Sequence, residues 1–530
     1  MTQPPSPRAK PFYGPQDVAD TAYATQLNDP GTFPFTRGRR AAPVASGAWI
    51  QRELSGEGDA RRTNAQFHYL LATGATGLDV IGDTPTMALL DPDHPAAVHA
   101  VGTQGVSLCC LQDYLDLYEG VALDSVTISN SLPAVFAIAG LYAAAQARGL
   151  DPARLRGSTV QAPFYCEDCG YATHMPFDLR VRLAADSIAF AARRLPRFHA
   201  FLEDTYYISE GGLDAVDEMA LGFIEIRSLI KAVLQRGLPV DAFGPRIAIL
   251  VNCRMDFFTE VAKIRATRRL FARMLRDEFG ATDPRALAVN IASHTSGLSL
   301  TTQQPINNVV RGTVQALALA LAGVQGIEIS GFDEAFRTPS PEAHLVGLRT
   351  QQIVQLEANV SQVLDPLGGS YYVEALTNDI EQRIRARVAE IEAQGDPKIL
   401  CDGGWFRALF QDASERYACE LRDGARVQVG LNAHRLPEAE DTLLRGVVEQ
   451  KIEPYRERID QIRAFKAVRD RSQLGAALEA VRNAVPAGDN LMPHIIAAMQ
   501  AGATMGEIAG TLRVACGMPY DPFGMTRCPT

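Results

Sequence analysis

The sequence predicts an α/β fold: a (β/α)8 barrel with an N-terminal extended arm and a C-terminal helical region. Between residues 77 and 376, short β-branched runs alternate with long amphipathic stretches of helical period. Eight strand candidates fall in that interval, the number a closed parallel barrel needs. The competing open doubly wound sheet lacks its signature, because no Gly-x-Gly-x-x-Gly turn follows the first strand.

In chain order the strand candidates are 77–83 (GLDVIGD), 125–129 (SVTIS), 157–161 (GSTVQ), 205–209 (TYYIS), 246–252 (RIAILVN), 286–293 (ALAVNIAS), 326–332 (GIEISGF) and 361–366 (SQVLDP). Amphipathic helices follow the second, fourth, fifth and sixth, and three of those four stop at or beside a Gly. Residues 1–76 read as a Pro/Gly-rich arm, 77–376 as the substrate-binding barrel, and 377–530 as a helical, charged region. Within the last, 423–450 reads as a linker and 490–515 as a terminal helical pair.

The bulk numbers fit an ordinary globular protein. Of 530 residues, 47% are hydrophobic and 21% charged. The formal charge of −10 argues against a nucleic-acid footprint, and no apolar run is long enough to span a membrane. The first residues are polar and Pro-rich, with no apolar core of a secretory signal, so a cytoplasmic protein is expected. Nine scattered cysteines read as free thiols in a reducing compartment.

Barrel chemistry sits at the carboxyl ends of strands. Those ends carry Asp83, Asn130, Gln161, Glu210, Asn252, His294, Asp333 and Glu334. Any one of these could simply cap the next helix; as a group they mark a pocket. Cys166 and Cys169 form the chain's one Cys-x-x-Cys, with His174 nearby. A single such pair is a weak metal signal, and the thioredoxin-like context of a redox pair is missing. No metal is expected. No P-loop, His-Glu-x-x-His or Gly-x-Ser-x-Gly is found.

Several stretches together resemble the large subunits of the adenosylcobalamin-dependent acyl-CoA mutases, the family of methylmalonyl-CoA, isobutyryl-CoA and 2-hydroxyisobutyryl-CoA mutases. They include FPFTRG (33–38), DFFTEVAKIRATRRLFARM (256–274), TSGLSLTTQQPINNVVR (295–311), GFDEAF (331–336), RTQQIVQLE (349–357), VLDPLGGSYYVEALT (363–377) and NLMPHIIAAMQAGATMGEI (490–508). The likeness runs from about residue 30 to 515. It implies radical chemistry supplied by adenosylcobalamin and a barrel filled by an acyl-CoA. The family's cobalamin motif, Asp-x-His-x-x-Gly, is not found here. The resemblance therefore implies a separate small cobalamin-binding subunit, in a heterotetramer built on a homodimer of large subunits.

Matched residue by residue, the resemblance assigns Glu210 and Glu334 to the adenosyl ribose, since carboxylates accept from its hydroxyls. Gly56 falls at a glycine that lets the adenosyl group approach the backbone, and Gln161 at a glutamine near the thioester carbonyl. Arg246 and Gln325 match CoA contacts. Other positions depart. Tyr171 stands where methylmalonyl-CoA mutase reads a carboxylate with Arg, so a free carboxylate is disfavoured in the substrate. Tyr207 replaces the catalytic His, and Leu54 and Ile81 replace a Tyr and an Asp that face the acyl group in relatives. The expected pocket is walled by Leu54, Ile81, Tyr171 and Tyr207, with Gln161, Tyr207 and Tyr171 as the catalytic set. RRAAPV (39–44) replaces a family segment that lies along CoA, and Ala292 and His294 stand where the family places a His and a Gln. Three readings follow: an active mutase subunit for an isobutyryl-, butyryl- or hydroxyacyl-type thioester, one using a different acyl carrier, or a non-catalytic structural subunit. An unrelated metal-dependent barrel using the Cys pair is a weaker fourth.

Overall fold

The computed structural model describes residues 10–44, 47–442 and 453–529. Nine strands form one sheet: β1 Ile50–Arg52, β2 Leu54–Ser55, β3 Gly77–Ile81, β4 Thr127–Ser131, β5 Arg156–Gln161, β6 Phe198–Asp204, β7 Ile247–Cys253, β8 Asn290–Thr295 and β9 Gly326–Glu328. They hydrogen-bond in the order β1-β9-β8-β7-β6-β5-β4-β3-β2. Pairing is parallel, as where Asp79 meets Ser129 and Asn252 meets His294. β1 and β2 stand at opposite ends of that order, yet only Glu53 separates them in the chain. A sheet whose two edges are joined by one residue has come round on itself. The expected α/β barrel is therefore formed.

Its strand list differs from the expectation at three places. The fourth strand lies at Phe198–Asp204, not 205–209. Thr205–Glu210 is a helical turn, capped where the Asp204 carboxylate accepts from the Tyr207 N–H (3.4 Å). Residues 361–366 form no strand; Val360–Gln362 is a 3₁₀ turn. The missing barrel strand is Ile50–Arg52, within the stretch read as an arm, and it pairs with Gly326–Glu328. The sixth candidate starts late, at Asn290, because Asp283 caps a turn over Pro284–Leu287 by accepting from the Arg285 N–H (2.9 Å).

The chain parts into two compact units. One comprises Met1–Glu53, Glu203–Arg227 and Val240–Lys451, and the other Leu54–Leu202, Ser228–Pro239 and Ile452–Thr530. Helix boundaries follow ordinary signals. Asp59 caps Ala60–Thr73, and Gly323, at φ +73°, ends Asn307–Ala322 in the left-handed conformation. The terminal pair is Met492–Gln500 and Met505–Ala515, as read from sequence. Residues 443–450 of the expected linker lie outside the described residues. No helix among the described residues is long and apolar enough to cross a membrane.

The helix Phe257–Asp277 buries its charges in the first unit. Lys263 is fully buried, and its ammonium meets Glu218 (2.7 Å), Glu260 (2.6 Å) and the Asn252 carbonyl (2.8 Å). Two carboxylates around one cation, out of water, hold only while the cation is present. Lys263→Met is expected to destabilise the chain by about 3–5 kcal/mol, read as a lowered urea midpoint, since it strands both carboxylates in the interior.

Candidate functional site

In the first unit, the helix after β6 and the carboxyl ends of β7, β8 and β9 bring polar groups together. Glu210 ends the helix Thr205–Glu210. Its Oε1 accepts from Asn252 Nδ2 (2.7 Å) and Ser296 Oγ (2.6 Å), and its Oε2 accepts from the Leu298 N–H (2.9 Å). Burial pushes the Glu210 carboxyl up, and these donors and the Arg254 charge oppose that. Glu334 lies in the loop after β9, where its Oε2 accepts from the Gly331 N–H (2.8 Å). Burial holds Glu334 at about 8, with the Glu210 and Asp333 charges adding to the rise. The Tyr206 hydroxyl is pushed well above its usual value by burial and by both glutamates, and its ring stands edge-on to His294 (4.9 Å between centroids). A cavity of about 930 Å³ opens beside this cluster, with Arg254, Ser296, Leu298 and Tyr417 in its wall.

The amino ends of the same strands carry different chemistry. Arg246 immediately precedes β7, and its charge, with that of Arg40, bears on half-buried Arg39. Burial and these like charges lower the Arg39 guanidinium from its usual value. Gln325 precedes β9 and braces the sheet, accepting from the Ile291 N–H (2.9 Å) and donating to the Gly323 carbonyl (2.8 Å).

The second unit holds the remaining candidates. Leu54 opens β2 opposite Asp79, and Ile81 ends β3; both are half-buried. Gly56 has φ +158°, and a Cβ there would stand 2.4 Å from the Ile81 carbonyl oxygen. The need for glycine is thus met by the chain's own backbone. Gln161 ends β5, and its amide nitrogen donates to Ser187 Oγ (3.1 Å) and the Ala200 carbonyl (2.8 Å). With its nitrogen committed to these two acceptors, the side chain presents an acceptor rather than a donor. Tyr171 is half-buried in the loop 163–176. Glu167 braces that loop, accepting from Thr173 N (2.7 Å) and Oγ1 (2.6 Å), while Arg180 donates to the Phe164 and Met175 carbonyls (both 3.2 Å).

Cys166 and Cys169 occupy one helical turn in that loop, and His174 packs edge-on to Phe523. Among the described residues, the three-donor group close enough to share a metal is Cys109, Cys110 and Asp113. There Asp113 Oδ2 already accepts from the Cys109 and Cys110 N–H groups (2.8 and 3.0 Å) and from Arg458 (2.5 Å). A guanidinium holds the place a cation would take.

The strand-end ring therefore divides. Asp83, Asn130 and Asp333 serve the scaffold: Asp83 accepts from Thr86 N and Gly102 N, Asn130 donates to the Ser158 carbonyl, and Asp333 accepts from Ser340 N. Glu210, Asn252, His294 and Glu334 belong to the cluster around Tyr206. Sequence reading placed Tyr207 at a strand position; it lies instead on the helical turn after β6. It overlooked Tyr206, Ser296 and Arg254. The spacing of Tyr206 four residues before Glu210, one helical turn, was the available signal.

The chain is thus an α/β barrel with carboxyls at one end of its strands and guanidinium groups at the other. The methylmalonyl-CoA mutase family model matches residues 4–518, so the chain belongs to that family. It is 35% identical to the 2-hydroxyisobutanoyl-CoA mutase large subunit of Aquincola tertiaricarbonis, covering 94% of this chain and 89% of that one. It is 33% identical to the methylmalonyl-CoA mutase of Escherichia coli K12, covering 96% of this chain and 70% of that enzyme. It is 31% identical to the methylmalonyl-CoA mutase large subunit of Streptomyces virginiae, covering 96% and 70%.

Asp83 generates a pH prediction. Burial raises its carboxyl from 3.8 to about 6 despite its hydrogen bonds. Folding then favours the protonated form, so its contribution is complete below 3.8 and is lost as pH rises to about 6. Asp83→Asn, neutral throughout, lacks that loss. Urea midpoints should show wild type losing stability relative to the variant across this window, with a constant difference above it.

Proposed function

We propose that the chain is the substrate-binding large subunit of a cobalamin-dependent mutase that rearranges the carbon skeleton of an acyl-CoA lacking a free carboxylate. The observation that carries this reading is the Glu210–Glu334–Tyr206 cluster at the strand ends, in a chain of this family. Two partly accessible carboxyls with a neutral phenol among them fit a ribose diol, so the donor set is compatible with the adenosyl part of the cofactor. When bound, adenosylcobalamin supplies one-electron chemistry through homolysis of its cobalt–carbon bond. The chain's own residues bind, orient and exclude water. Glu210, held by Asn252, Ser296 and the Leu298 N–H, is fixed as an acceptor. Arg39, Arg40 and Arg246 form a cationic group suited to CoA phosphates. Gln325 stands at the same strand ends, and Gly56 keeps the backbone at its turn free of a side chain.

In this reading Leu54, Ile81, Tyr171 and Tyr207 face the acyl group, and Gln161 presents an oxygen toward it. Tyr171 brings no charge for a carboxylate, which selects isobutyryl-, butyryl- or hydroxyacyl-type thioesters over methylmalonyl-CoA. The cobalamin is held mainly by a separate small subunit, within a heterotetramer in the cytoplasm. The naming of similar chains as large subunits supports this. The commitment of the Gln161 amide nitrogen favours one rival, a non-catalytic structural subunit.

The test is anaerobic. The chain, its small subunit and adenosylcobalamin are mixed with a panel of acyl-CoA thioesters and followed for the visible spectrum of cob(II)alamin. A signal with a carboxylate-free member supports the mutase reading; silence from an assembled complex supports the structural one. Glu334→Ala should abolish turnover with the circular dichroism spectrum unchanged. Tyr171→Arg should strengthen methylmalonyl-CoA binding at least severalfold by calorimetry; no gain would remove Tyr171 from the acyl site.

A further inference from the structure

The two glutamates of the cluster are held in unlike ways. Three short hydrogen bonds reach Glu210, and Arg254 lies near enough for its charge to favour the carboxylate. Among the described residues, the hydrogen bond that Glu334 accepts comes from its own loop, and the ionisable groups that bear on it are acids: Glu210 and Tyr206 on the helix after β6, Asp333 beside it, and Glu53 at the joint of β1 and β2. Arg52 meets Glu328 at 2.5 Å, and Arg337 lies 4.0 Å from Asp333.

Glu53 deepens the asymmetry. It is 1% exposed, and its Oε1 accepts from Gln351 Nε2 (2.9 Å). Gln351 in turn accepts from Trp49 Nε1 (3.2 Å) and donates to the Arg52 carbonyl (3.1 Å). Gln351 gives Glu53 a hydrogen bond from a neutral amide, and burial pushes the Glu53 carboxyl well above the usual range, with the Glu334 charge adding to the rise. Where several carboxyls gather in low dielectric around one cation, the group beside the cation keeps its charge and the others keep protons.

We propose that Glu210 and Glu334 divide their labour: Glu210 accepts from one hydroxyl of a vicinal diol, and Glu334, carrying a proton, donates to the other. The pair then reads a nucleoside ribose with one acceptor and one donor rather than with two negative charges. Two carboxylates facing one neutral diol would repel each other, and the proton on Glu334 removes that repulsion. This rests on the ribose reading made above. It adds that binding depends on a proton held at Glu334.

The test uses the full chain and two readouts. Infrared difference spectra between wild type and Glu334→Gln should show a protonated-carboxyl band at neutral pH that disappears near pH 8. Bands from other buried acids such as Glu53 cancel in the difference. Binding of 5′-deoxyadenosine by equilibrium dialysis should weaken about tenfold per pH unit above about 8. Glu334→Gln keeps a donor, so its affinity should stay within about threefold of wild type and lose that pH dependence, whereas Glu210→Gln should bind at least roughly tenfold more weakly. A difference spectrum with only carboxylate bands at neutral pH overturns the proposal. So does affinity that rises through pH 8, measured on wild type alone should the variants not fold. If the band is present but 5′-deoxyadenosine binds at no pH, the ribose reading fails and the diol half of this proposal falls with it; the proton assignment then stands alone.

Discussion

One covalent constraint organises the structure: β1 and β2 belong to opposite edges of the sheet, and a single residue joins them. Glu53 has no room to swing into solvent, because the strands on either side are already committed to β9 and β3. A carboxyl is therefore sealed at the seam. Gly347 accommodates it, since a Cβ there would stand 2.6 Å from Glu53 Oε2. The adjacent Arg52 is neutralised by Glu328, its partner on β9.

From that constraint follows the electrostatic character of the strand ends in the first unit. Burial raises several carboxyls there: Glu53, Glu334 and, on β6, Glu203 facing Glu225. The amino ends reverse the pattern, with Arg39, Arg40 and Arg246 crowded together. The two ends of these strands therefore differ in charge.

Much of this was legible in the sequence. β3, β5 and β7 lie within a few residues of the stretches read from sequence; β7, buried along its whole length, reads as a continuous apolar run. β1 and β2 fall in the stretch read as an arm: they are short, and QREL carries polar side chains, although Gln51, Arg52 and Glu53 are buried. β6 was displaced because FHAFLED carries acids whereas TYYIS carries the β-branched and aromatic types, and the cap by Asp204 outweighs that propensity. For the site, Glu210 and Glu334 came from local motifs. The roles of Asn252, Ser296, Glu53 and Tyr206 depend on contacts between segments far apart in sequence, which periodicity does not report.

The seam also orders events in time. Residues 50–52 leave the ribosome early, yet their partner strand is 326–328. Until that segment is made, the first strand has an unsatisfied edge and Glu53 remains an ordinary ionised acid in water. Closure is thus a late, long-range step, of the kind that slows folding. The step that closes the barrel is also the one that takes the Glu53 carboxyl out of water.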